Sequence, residues 1–501
     1  MNHSPKEGAL RPLQFPVPKN QPQPPTTPKN GACLAAALGS YPLAYLYIHG
    51  IWMADHDRFW RGGVLVFALL FVAGVEGLAR AWKRRGVPHS GFWALCWLGQ
   101  SAAMAVLGLH VEPLGPWQIL VWHITAIYWV LCRTGMLAAG GTGSLLPLDG
   151  MAGVFLLPWG GFCLRGQTLW RALRDQRARR PAGSARRVVD AALSALLAVA
   201  LAGVACTWLA AAEPHFAALV KDFGRLFDWH WVDASLVTYF VFSLPVGAWL
   251  YGLVANSLRR AAPPVPQARF YAWLATAPRL PAAAGVLVPG ALCAVYALFF
   301  GVQVTVFAAA LRAPGSISAP TAAQFAVDGF WELCRILLLD LTVLAVLYFF
   351  GATPLGQKGP RRALLTLFCT FGVAFALLAG AKLGAYIGLY GPTPRRVLSG
   401  WFLGVLLVWC LLAGLRLFFR LRAARIGVVA LALSFTVLCC LPVEQFCVAQ
   451  NLERYESGQT DAPDWELLRV CYYQSEALRK DVTVRLAEAG LAVQANAQGL
   501  W

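Results

Sequence analysis

The sequence predicts an all-α polytopic transmembrane helix bundle, and three observations predict it. The 501 residues are 58% hydrophobic and only 13% charged, with a mean hydropathy of +0.57, whereas soluble domains are about a quarter charged. The apolar residues gather in repeated blocks about 20 long, the length an α-helix needs to cross a hydrocarbon core of about 30 Å. The basic residues behind the net charge of +18 fall in short clusters at block ends, where positive charge holds loops in the cytoplasm. This arrangement makes the bilayer the expected partner, with anionic lipid at the basic loops, and argues against a nucleic-acid surface.

Residues 1–31 hold eight prolines, four basic residues and one acid, Glu7, the composition of a disordered, extended tail. The tail is too long and polar for the n-region of a cleaved signal, so the first block is expected to stay as an anchor. Apolar blocks then predict eleven spans, at 32–53, 62–82, 90–110, 117–137, 188–212, 234–254, 281–309, 329–350, 363–389, 397–415 and 426–441. Trp52, Trp82, Trp117 and Tyr390 lie near block ends, where amphipathic rings favour the headgroup zone. The thirteen cysteines are scattered, with no CxxC, so thiolate zinc and thioredoxin-like chemistry have no support. The domains expected are the tail 1–31, membrane regions 32–280 and 281–441, and an outer helical tail 442–501.

Between the fourth and fifth spans lies SLLPLDGMAGVFLLPWGGF, residues 144–162, which is apolar yet carries Pro147, Asp149, Gly150, Pro158, Gly160 and Gly161. If it crossed fully, the loop 165–187, with eight arginines and one acid, Asp175, would lie outside. If it dips in and returns, that loop is cytoplasmic. So then are Arg259, Arg260, Arg269, Arg279, Lys358, Arg361, Arg362, Arg420, Arg422 and Arg425. Charge therefore predicts a re-entrant segment, or in the alternative a helix lying in the cytoplasmic interface, with the N-terminus inside and the C-terminus outside. The location implied is a bacterial inner membrane.

Local patterns in the second half add a resemblance. They are Thr321 to Leu333 (TAAQFAVDGFWEL), the set Lys382, Tyr386, Tyr390, Gly391, Thr393 and Arg396, and Asn451-Leu452-Glu453-Arg454. From about residue 281 onward the chain resembles an uncharacterised family of bacterial multi-spanning membrane proteins, a domain of unknown function of the DUF4153/DUF4173 type. Pro392, Pro394 and Lys382 depart from its pattern, and the first half matches only in hydropathy. The resemblance implies membrane architecture and no established activity.

Thr321 and Gln324 suit a capping box at a helix start. Beyond them Glu332, Arg335, Asp340 and Lys382 form an expected intramembrane polar cluster. Asp340 falls near mid-bilayer, where an exposed acid costs about 2.5–3.5 kcal/mol on insertion scales, so it should face the interior. Glu332 is expected to pair with Lys382, either pinning two helices together or lining a polar pathway. In the outer loop Tyr390, Gly391, Thr393, Arg395 and Arg396, the arginines run against the charge bias and call for acidic groups of the tail or lipid phosphates.

His49, His56, His110, His215 and His230 gather with several carboxylates at outer ends. These are metal-ligand types, but without a recognised spacing, so hydrogen-bonded interfacial histidines are the alternative. Residues 212–231 have the spacing of an interfacial helix. In the tail, Leu468, Cys471, Leu478, Val482 and Leu486 share a helix face, and Cys447 and Cys471 are a candidate disulfide in an outer compartment. No phosphate loop, dinucleotide fingerprint or nucleophile elbow occurs. No cofactor is predicted and protein partners are not specified. The expectation is passage of a small solute through a polar cavity near Asp340 and Lys382. The alternatives are an enzyme acting on a lipid-linked substrate at the outer face, and a scaffold or sensor that binds partners; the balance leans away from an enzyme.

Overall fold

A computed structural model of the chain describes residues 30–52, 61–179, 234–312, 319–356, 359–474 and 476–500, with isolated positions between 191 and 216. Among the described residues the chain is helical, apart from one isolated bridge between Leu280 and Gly351. Eleven helices among the described residues are long and apolar enough to cross a membrane. The protein is a multi-pass, all-α integral membrane protein, the architecture that satisfies every backbone group internally. Ten of these helices overlap blocks expected from hydropathy. The eleventh, Leu146–Gln176, is the segment expected to turn back, and the span expected at 188–212 falls largely outside the described residues.

The first bundle contains α1 (Asn30–Tyr47, prolonged by a π turn at Ile48–Trp52), α2 (Arg61–Ala81), α3 (Ser90–Leu107) and α4 (Leu114–Thr134). A broken helix follows in three pieces, α5 (Leu146–Met151), α6 (Leu157–Gly160) and α7 (Leu164–Arg179), and then α8 (Ala234–Arg259) and α9 (Gln267–Thr276). The core is an aromatic stack. Phe67 and Phe71, one turn apart on α2, meet Trp97 of α3 and Trp122 and Trp129 of α4. Trp97 and Trp129 stack nearly parallel, with ring centroids 6.0 Å apart, close to the offset geometry that aromatic pairs favour.

The basic ends of α2, α4 and α8 are tied together. Arg133 pairs with both oxygens of Glu76, at 2.6 and 2.9 Å, and donates to the Arg84 carbonyl at 3.0 Å. Arg84 donates in turn to the carbonyls of Leu258 and Arg260. The forked guanidinium suits this bidentate contact. This end is the basic face of the molecule.

The second bundle consists of α10 (Ala284–Arg312), α11 (Ala319–Phe350), α12 (Pro360–Tyr390) and α13 (Pro394–Phe418). They pack around Tyr296, Phe330, Leu337, Phe368 and Phe375. Because α11 is already helical at Ala319, Thr321 lies within the helix and not at the helix start expected there. The two bundles are joined by α14 (Ala423–Cys440). Gln100 of α3 donates to the Thr436 hydroxyl at 3.0 Å, and Trp401 of α13 donates to Ser434 at 3.1 Å.

Past α14 the tail forms α15 (Val443–Glu456), α16 (Trp465–Gln474), α17 (Glu476–Glu488) and α18 (Ala492–Ala497). The five residues expected on one helix face are all buried but fall on two helices, Leu468 and Cys471 on α16 and Leu478, Val482 and Leu486 on α17. Leu468, Cys471, Val482 and Leu486 join Leu114 and Phe435 in a separate core over the ends of the spans. This end is the tail face.

Candidate functional site

The broken helix builds the site. Pro158 has no N–H to donate and follows a π turn at Ala152–Leu156, a common accommodation where helical bonding fails. Gly160 and Gly161 then end α6. Gly161 packs backbone to backbone on Gly252 of α8: a Cβ on Gly161 would stand 2.5 Å from the Gly252 carbonyl oxygen, and one on Gly252 would stand 2.7 Å from that of Pro158. No other residue pair allows this approach. Asn256 fastens the contact by donating to the Leu157 carbonyl at 2.8 Å.

The contacts follow a definite order along the chain. Asp149 accepts the Ala138 N–H at 2.7 Å, just past the basic end of α4, and Gly153 lies against Ile127 and Leu131. Gly161 touches Gly252, Arg165 reaches Leu244, and Thr168 then meets the Tyr251 hydroxyl at 3.1 Å, which itself touches the Cys33 carbonyl at the start of α1.

Between α2, α4, α8 and the bend of the broken helix lies a cavity of about 570 Å³, within the range of small-molecule pockets. Its walls are aromatic and aliphatic, including Phe67, Trp122, Trp159, Phe162 and Trp249. One polar pair stands in the wall: the Tyr47 hydroxyl lies 2.7 Å from Nε2 of His123, whose Nδ1 lies 2.7 Å from the Ile119 carbonyl. A carbonyl can only accept, so Nδ1 carries the proton and Nε2 accepts from Tyr47. Neither the cavity nor Glu76 was singled out from sequence. Glu76 was detectable as an acid inside an apolar block, but the cavity depends on contacts between segments far apart in the chain.

The four residues expected to form a polar cluster are not brought into one group. Glu332 pairs with Arg335, one turn away on the same helix, at 3.1 Å, and both are exposed. Asp340 is 2% exposed, accepts from the Tyr296 hydroxyl at 2.7 Å through Oδ1, and leaves Oδ2 without a hydrogen-bond partner among the described residues. Lys382 is half-buried against Gly329. The expected Glu332–Lys382 pair is thus replaced by the shorter-range Glu332–Arg335 contact, which needs no second helix.

In the loop between α12 and α13, Arg396 donates to the carbonyls of Tyr390 and Gly391 and lies 4.4 Å over the Tyr386 ring, while Thr393 caps α13 by accepting from the Arg396 N–H. Arg396 is thus held by its own loop and a ring, and among the described residues no acidic tail residue pairs with it. Arg395 is exposed. Asn451 of the tail donates to the Pro392 carbonyl at 2.8 Å, and Arg454 to that of Leu389 at 3.1 Å. Gly391 has φ +75°, and a Cβ there would collide with the Asn451 amide oxygen. Two motifs read separately in the sequence form one contact.

The histidines do not converge. Among the described residues no three metal-ligand side chains come together. His49 packs edge-on against Tyr239, and His56, His215 and His230 lie outside the described residues. His110 is buried with both nitrogens engaged: Nδ1 is 2.9 Å from Glu444 Oε2 and Nε2 is 3.2 Å from the Cys439 carbonyl. Glu444 also accepts the Val111 N–H at 2.9 Å. Burial alone pulls the imidazolium down, but the Glu444 carboxylate and the Cys439 carbonyl outweigh it, and the net shift is upward. This neighbourhood offers no free lone pair to a metal. Cys447 and Cys471 are free thiols, both buried in the tail core. The candidate disulfide is not formed there, and each thiol packs as a small apolar group. Burial pushes Cys447 up to about 12 and raises Cys471 as well.

Fold and cavity together define a multi-pass helical membrane protein with an aromatic-lined pocket at a broken helix. The family described as a domain of unknown function (DUF4153) matches residues 92–486, and the chain belongs to that family. The match begins in α3, well before the point near residue 281 where the sequence likeness was expected to start. No curated protein and no solved structure matches the chain.

Proposed function

We propose that this protein takes a small lipophilic solute from the bilayer into the aromatic cavity and moves or presents it across the membrane. The observation that carries the reading is the cavity itself: about 570 Å³ lined by α1, α2, α3, α4, the broken helix and α8, with one internally satisfied polar pair. An apolar wall favours an apolar occupant, because a hydrated ion would lose its water shell without replacement ligands. In this reading the broken helix is re-entrant, with the basic face in the cytoplasm of a bacterial cell. The order of contacts from Ala138 through Gly252 to Cys33 supports this, as does the positive charge of α7.

The test is native mass spectrometry of the purified full chain after partial delipidation. The wild type should retain bound lipophile, and Ala126→Phe, which fills the cavity from α4, should lose it while melting normally. Retention unchanged by the filling substitution would refute the reading.

A second reading has its own observation. The oxygen of buried Asp340 that has no hydrogen-bond partner among the described residues supports a proton-linked role in solute passage through the second bundle. Asp340→Asn keeps an acceptor for Tyr296 and removes the ionisable proton. Transport of any identified solute that is unchanged in this variant would end that reading.

A further inference from the structure

Arg165 opens α7 immediately after the bend and is 7% exposed. Its Nη2 donates to the Leu244 carbonyl at 2.7 Å and its guanidinium lies 4.0 Å over the Tyr41 ring. Its Nη1 fills the space that Gly247 leaves by lacking a side chain and has no hydrogen-bond partner among the described residues. Arginine stays charged in proteins, and a buried charge without a counter-ion is costly. Arg133 in the same bundle has Glu76 for this purpose, whereas the described contacts of Arg165 are a carbonyl and a ring, neither of which carries negative charge.

A second cavity of about 520 Å³ opens beside this guanidinium, lined by Tyr41, Phe162, Cys163, Arg165, Gln167 and Trp170 among others. Phe162 lines both this cavity and the aromatic one. An apolar chamber and a chamber with an under-satisfied cation therefore meet at one ring at the bend. Farther along α7, Arg171 and Arg174 are exposed and add positive charge towards the basic face, the arrangement that attracts acidic lipid over zwitterionic lipid.

We propose that the occupant is an acidic phospholipid, with an acyl chain in the aromatic cavity and its phosphate in the second cavity, beside the guanidinium of Arg165. This rests on the reading that the aromatic cavity takes a lipophile, and it adds the head-group chemistry and the residue that selects it. A guanidinium that has no counter-ion among the described residues suits a phosphate, and a lipid with no balancing ammonium leaves the charge of Arg165 compensated.

The experiment uses the full chain, partially delipidated and titrated with phosphatidylglycerol or phosphatidylcholine of identical chains, read by native mass spectrometry. The wild type should retain phosphatidylglycerol about tenfold more tightly. Arg165→Gln should bind the two equally, and Arg165→Lys should keep part of the preference. Equal retention of both lipids by the wild type overturns the role of Arg165 while leaving the cavity reading intact. So does a preference that Arg165→Gln leaves unchanged. Retention of neither lipid by the wild type overturns the cavity reading as well.

Discussion

Removing the Glu444 carboxylate, as in Glu444→Leu, should undock the tail from the membrane bundle. The two side chains of the His110–Glu444 pair are only 2% and 6% exposed, so the pair belongs with buried ion pairs and not with surface ones worth about 0–1 kcal/mol. Both imidazole nitrogens face acceptors, which requires the doubly protonated ring while Glu444 is ionised. Deleting the carboxylate strands that ring and also the Val111 N–H. Breaking one side of a buried pair costs about 3–5 kcal/mol, a change of roughly two to four powers of ten in the docking equilibrium. Hydrogen exchange of the amides in α15 to α17, compared with those of α3 and α4, measures it directly. The raised value of His110 also sets a pH dependence. Its contribution is fully present below the ordinary histidine value of about 6.5 and disappears as pH rises through the higher folded value, with about 1.4 kcal/mol for every tenfold gain in proton affinity on folding. His110→Gln should flatten that dependence. Tail protection that is unchanged in Glu444→Leu, or flat across this range in the wild type, would refute the reasoning.

Gly391→Ala forces a side chain into a left-handed turn and against Asn451; a cost of about 1–3 kcal/mol should appear as earlier proteolysis of the tail. Gly252→Val should separate α8 from α6 and lower the melting temperature in detergent, with loss of retained lipid. Asp340→Asn should leave the melting temperature nearly unchanged because Tyr296 still finds an acceptor. Cysteines placed singly across 171–187 should resist an impermeant thiol reagent in whole cells and react in inverted vesicles; labelling in whole cells would contradict the orientation.

Hydropathy made the helices legible because each is specified by a local run of apolar residues that the bilayer itself sorts. The tail's buried positions were legible for the same reason, since Leu468 and Cys471 on α16 and Leu478, Val482 and Leu486 on α17 repeat at helical spacing within each helix. Pairings between segments were not legible. Glu332 and Lys382 match in depth, yet Arg335 lies one turn from Glu332 on its own helix and takes the carboxylate. His110 and Glu444 are separated by more than 300 residues, and nothing in either neighbourhood names the other. The cavity is less legible still, because Trp122, Phe162 and Trp249 each read as ordinary membrane aromatics until the broken helix brings them together. Asp149, Gly160 and Gly161 did mark an unusual segment. Their spacing could not say that Gly161 meets Gly252.

The most direct test of the account replaces Phe162, the ring shared by both cavities, with the photoreactive analogue benzoylphenylalanine and irradiates the protein in native membranes. Mass spectrometry of the segment around residue 162 should show an adduct with the mass of a phospholipid, diminished by Ala126→Phe. Cross-links to neighbouring helices alone, with no lipid adduct, would contradict the claim that the broken helix builds a lipid-binding chamber.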